Sequence, residues 1–158
     1  MEETKEIDNL FDLMENLLEG PYWIVDILPE QVPADSDGQY FAVDAYFRQP
    51  GRLQDLYRRF AEMILRLNCY NDMLVSFDSC ETWTENPEPE WFAEKLTYLK
   101  GNEFLRVVFV KEKVMIDIDS EDTNMTVFAP DEDDYDRYAL MCRIRKLAAA
   151  SGFFMWIP

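Results

Sequence analysis

Histidine is absent from all 158 residues, bases are scarce, and glycine occurs only at 20, 38, 51, 101 and 152. Each shortage excludes something. Without imidazole there is no Ser-His-Asp or Cys-His arrangement and no histidine metal site, and no side chain exchanges protons near neutral pH without a large shift. Five scattered glycines form neither G-x-G-x-x-G nor a Walker loop, so nucleotide use by those routes is excluded. Three cysteines, Cys69, Cys80 and Cys142, are an odd number at wide spacings with no C-x-x-C pair. They fit neither a disulfide framework nor a zinc site, and read as small core residues or spare thiols, with a single bridge such as Cys69 to Cys80 left open. No apolar run reaches the ~18 to 20 residues needed to span a bilayer. The opening MEETKEIDNLF is acidic where a leader would be basic, and the expected location is cytoplasmic.

Acid is what the chain has in excess. Thirty-two Asp and Glu against fifteen Lys and Arg give a formal charge of −17. Such a charge repels phosphate backbones and anionic lipid surfaces, so neither direct nucleic-acid binding nor membrane binding is expected. Apolar residues make up 48% and aromatics 15%, far above a disordered acidic tail, which places the charge on the outside of a packed body. Residues 1–158 fit one domain, burying roughly 70% of the unfolded surface.

Ile7, Leu10, Phe11, Met14, Leu17 and Leu18 recur at helical spacing over 5–19, and Gly20-Pro21 stops that helix, which should dock on a sheet. Residues 22–28 and 39–47 read as strands joined by a Pro/Asp/Gly connection. A second helix follows Pro50 to about Leu67, with Leu53, Leu56, Tyr57, Phe60, Ile64 and Leu67 on one face and arginines largely on the others. Those arginines, with Arg48 nearby, are expected to pair with the chain's own acids. A strand over 72–77 leads to an acidic loop, 78–94, holding six acids and no base, and a short helix around 91–99. Strands over 104–110, 113–118 and 124–128 suggest a meander, its first turn at Lys111-Glu112. A third long helix follows Pro130, with Asp131 to Asp134 over its positive end and Arg143, Arg145 and Lys146 over its negative end, and a strand over 153–157 closes the chain. Strand, proline, helix, strand recurs in 40–77 and 124–157, though with weak residue identity. The expectation is α+β: a mixed, mostly antiparallel sheet packed with three main helices.

No motif selects a catalytic pair among so many carboxylates. An EF-hand loop from Asp117 would need glycine and glutamate where Asp122 and Phe128 stand, so the pattern fails, and no metal or cofactor is expected. If the strands alternate, one face carries Trp23, Val25, Ile27, Phe41, Val43, Phe47, Leu105, Val107, Phe109, Met155 and Ile157, while the other carries Tyr22, Asp26, Tyr40, Asp44, Tyr46 and Trp156. The second face is aromatic and acidic, which suits a basic or amphipathic partner unless helices cover it. Trp83 and Trp91 in the acidic loop either anchor it or present a sticky tip.

These features favour a non-enzymatic protein-binding module that recognises a basic partner through Tyr22, Asp26, Tyr40, Asp44, Tyr46, Trp83, Trp91 and Trp156. Immunity proteins and nucleic-acid mimics share this size and charge, and the likeness extends no further. Two readings compete: a carboxylate-based enzyme or divalent-cation site near Asp117 and Asp119, and a homo-oligomer whose aromatic face is covered by its own copy.

Overall fold

Seven strands share one sheet in the computed structural model, which describes residues 2–131 and 133–158, with the side chains at 2–4 and 7 left out. In chain order the elements are α1 (Glu2–Glu19), β1 (Tyr22–Asp26), α2 (Tyr40–Phe47), α3 (Pro50–Asn68), β2 (Leu74–Ser76), β3 (Thr84–Glu85), α4 (Pro89–Thr97), β4 (Phe104–Phe109), β5 (Val114–Asp119), β6 (Asn124–Phe128), α5 (Tyr135–Ala150) and β7 (Phe154–Trp156). The strand order is β3-β2-β4-β5-β6-β1-β7. Every ladder is antiparallel, and one isolated parallel bridge joins Asp78 to Phe104. The fold is α+β, with α1, α3 and α5 as its long helices.

Strand alternation divides the side chains between two clusters. Leu105, Val107, Ile116, Val127 and Val25 point inward to the main core with Phe60 and Ile64 of α3, Phe92 of α4 and Ile144 of α5. Their neighbours Val108 and Met115 point the other way, into a smaller cluster under Leu10, Met14 and Leu17 of α1. The α1 helix therefore docks on the sheet, but along a narrower stripe than its spacing suggests. Phe11 and Leu18 stay about half exposed, and the side chain of Ile7 lies outside the described ones.

Residues 39–47 are not a strand. YFAVDAYF fits two periods: 41, 43 and 47 alternate, while 40, 43, 44 and 47 make a helical stripe. The helix prevails, with Asp44 and Arg48 paired one turn apart. Of the inward set expected here, Phe47 packs on the core, while Phe41 and Val43 are exposed, as is Ile157 at the far end. The apparent repeat of 40–77 in 124–157 fails with it, since one copy opens on a helix and the other on a strand.

Other differences are local. α5 begins at Tyr135, capped by the Asp134 side chain accepting from Arg137 N–H, and its last turn contains no base, so Arg143 to Lys146 sit a turn further in than the dipole would favour. Glu132, one of the acids expected over that positive end, lies outside the described residues. The hairpin turn leaves Glu112 only 3% exposed, accepting from Asn71 Nδ2 at 2.7 Å, while its carbonyl accepts from the buried Arg137 at 2.9 Å. All three cysteines are free.

Candidate functional site

Of the eight side chains expected to form a recognition surface, Tyr22, Asp26, Tyr40, Asp44 and Trp156 line one cleft of about 460 Å³. They arrive there differently than strand alternation implied. On β1, Tyr22, Ile24 and Asp26 point away from the core, and Trp156 on β7 lies opposite Ile24 in the ladder. α2 then carries Tyr40, Val43 and Asp44 to the other wall. The connection between β1 and α2 closes the end with Glu30 and Val32. It is pinned where the Trp156 indole N–H donates to the Leu28 carbonyl at 3.0 Å.

Asp26 is 8% exposed, and its Oδ1 accepts from the Ile27 N–H at 2.7 Å. Burial pushes its carboxyl above the usual range, the nearby Asp44 adds to this, and backbone N–H groups of Ile27 and Leu28 oppose it. Asp44 has a cation, because Arg48 Nε donates to it at 2.7 Å. The same guanidinium also donates to the Glu121 carbonyl. That hydrogen bond to Asp44 is the main reason Arg48 is held more firmly protonated. Beyond Arg48, burial raises Asp122, with Asp119 and Glu121 adding repulsion and Arg48 relieving it.

A second cavity of about 430 Å³ lies on the far side of Arg48, lined by Leu53, Tyr57, Tyr98, Leu99 and Lys100 among others. The Tyr57 hydroxyl is within hydrogen-bond distance of the carbonyls of Asp119 and Asp122, at 3.0 and 2.8 Å, and burial raises its pKa. This tyrosine fixes the β5–β6 turn.

The other three expected residues lie elsewhere. Tyr46 sits beneath the Arg52 guanidinium at 3.7 Å and packs edge-on against Phe47. Trp83 packs against the cluster below α1, anchoring the acidic loop. Trp91, 39% exposed, stands edge-on to Phe77 at 5.7 Å. The loop also folds around its own acid: Asp78 accepts from Ser76 and from the Thr82 N–H and hydroxyl, and the Thr82 bonds hold its carboxyl below the usual range. Sequence reasoning missed Arg48 as a member of the cleft. The signal was its position four residues after Asp44, once 40–47 is read as helical.

Near the competing position, both Asp117 oxygens are engaged by Arg106, each at 2.8 Å. Among the described residues, no three acidic or thiol side chains are grouped so as to hold a metal ion, and no helix is long and apolar enough to cross a membrane. No protein-family model matches the chain, and no match was found among curated proteins or solved structures.

Proposed function

We propose that the protein is a non-enzymatic binding module whose cleft seats a lysine or arginine side chain of a basic protein partner. The observation that carries this is the cleft's composition: Asp26, Glu30 and Asp44 with Tyr22, Tyr40 and Trp156, and, among the described residues, a single lining cation, Arg48, which is already bound to Asp44 and the Glu121 carbonyl. Aromatic faces attract cations and carboxylates pair with them, so the two residue types converge on one ligand chemistry. The charge of −17 adds long-range attraction, which acts mainly on the association rate. The same charge disfavours nucleic acid and anionic membrane as partners. We place the encounter in the cytoplasm, on three thiols that are all free.

The test is a titration of the full chain with a basic peptide, read by tryptophan fluorescence at rising salt. Binding that weakens with salt, and that falls roughly tenfold or more in Asp26→Asn/Asp44→Asn, supports the reading. Salt-insensitive binding, or binding unchanged in the double variant, overturns it.

A further inference from the structure

The sheet has two edges, and they are guarded unequally. β3 is two residues long, ends on Glu85 and is followed by Pro87, so it makes a poor template. Among the described residues β7 pairs with β1 on one side only; like β3 it is followed by a proline, Pro158, but Phe154-Met155-Trp156 contains no charge. Phe154 is 49% exposed and Ile157 71%. Natural edges usually carry such blocking devices because unpaired N–H and C=O groups invite another chain.

β7 also borders the cleft. Trp156 belongs to both, and in the β1–β7 register Asp26 lies opposite Phe154. A chain pairing with β7 would lie about 4.8 Å beyond it, with every second side chain on the face that carries Phe154, Trp156 and Asp26. The intervening side chains would fall on the face of Met155 and Ile157, both apolar.

We infer that β7 accepts an extended segment of the partner as an eighth strand, whose side chains alternate basic and apolar. The basic ones face the cleft and the apolar ones face Ile157. This deepens the binding reading above and rests on it. Backbone pairing then supplies affinity, and the cleft supplies selectivity for Lys or Arg. A second copy of the chain is the poorer occupant, because joining two β7 edges would bring together two bodies of charge −17 and two sets of Asp26, Glu30 and Asp44.

The probe is a capped peptide of alternating lysine and valine, compared with two forms N-methylated at one or the other alternate set of residues. Strand addition predicts that one methylated form loses at least tenfold in affinity while the other binds like the parent, and that those amides of 154–156 directed away from β1 gain hydrogen-exchange protection. If both methylated forms bind as tightly as the parent, and that binding depends on Asp26 and Asp44, strand addition is wrong and the side-chain cleft stands. No binding of any form at low salt overturns both. A peptide-free dimer with protected 154–156 amides would assign the edge to a second copy instead.

Discussion

The sheet face turned away from α3 has two halves. On one, Val108 and Met115 are fully buried beneath Leu10, Met14 and Leu17 of α1. On that half Asp117 is bound through both oxygens by Arg106, whose guanidinium also touches Met14 Sδ at 3.8 Å and Cys80 Sγ at 3.7 Å. The other half, made by β6, β1 and β7, has a cleft in place of a helix lid, and its deepest carboxylate, Asp26, is held by backbone N–H groups. The Asp117 carboxylate under α1 is neutralised by the chain's own arginine. At the cleft Asp44 has Arg48, while Asp26 is left facing the cleft with backbone N–H groups, as a recognition surface would require.

Five substitutions test that contrast. Truncating Met115→Ala on the covered half should cost about 2 to 5 kcal/mol in urea unfolding, by lost burial and a residual cavity. Tyr22→Ala on the open half, where the ring is 41% exposed and touches Phe128, should cost no more than about 1.5 kcal/mol. The reverse order would erase the distinction. Next in size, Arg106→Ala should destabilise by on the order of 2 to 3 kcal/mol by stranding Asp117 in a site where the two side chains are 13% and 18% exposed, and replacing both with apolar residues should recover most of it.

Asp26 should respond in the opposite direction. Its folded carboxyl titrates above the ordinary value of 3.8, so the folded state holds its proton to higher pH than the unfolded chain does. Stability is therefore lost as pH rises from that value through the folded one, and the loss persists at neutral pH. Asp26→Asn, which keeps an oxygen for the Ile27 N–H, should melt higher than the parent at pH 7, with the gap closing as pH falls toward 3.8. A lower melting point at pH 7 would mean that Asp26 is stabilised by a matched charge after all. The smallest effect belongs to a site in neither half: Asp136→Ala, removing a 3.9 Å pair with Lys111 whose side chains are 55% and 79% exposed, should stay within about 0.5 kcal/mol.

Much of this architecture was legible because burial writes a period into the chain. α3 shows it best: of the face read as Leu53, Leu56, Tyr57, Phe60, Ile64 and Leu67, all but the half-buried Leu53 are buried. The β4–β5 hairpin was equally plain, its two strands separated by charged residues and its Lys113 in the left-handed region at φ 58. The readings that failed lack such a constraint. α2 has no fully buried residue, so nothing in its pattern decides between periods of two and 3.6. α1 places Phe11 and Leu18 in solvent although their spacing matches the buried stripe, since only tertiary packing sets its width. β3 is two residues, too short for any periodicity. At the cleft, residue types identified the members, but the partnership of Tyr22 and Asp26 with Tyr40 and Asp44 depends on where α2 lies relative to β1. That placement has no local signature.

The wall formed by α2 has a thermodynamic consequence. It is eight residues long, has no side-chain N-cap and is tied across to the β5–β6 turn through Arg48. A segment with so few internal supports opens at a small fraction of the global unfolding free energy. Ordering that helix would cost any guest part of its contact energy.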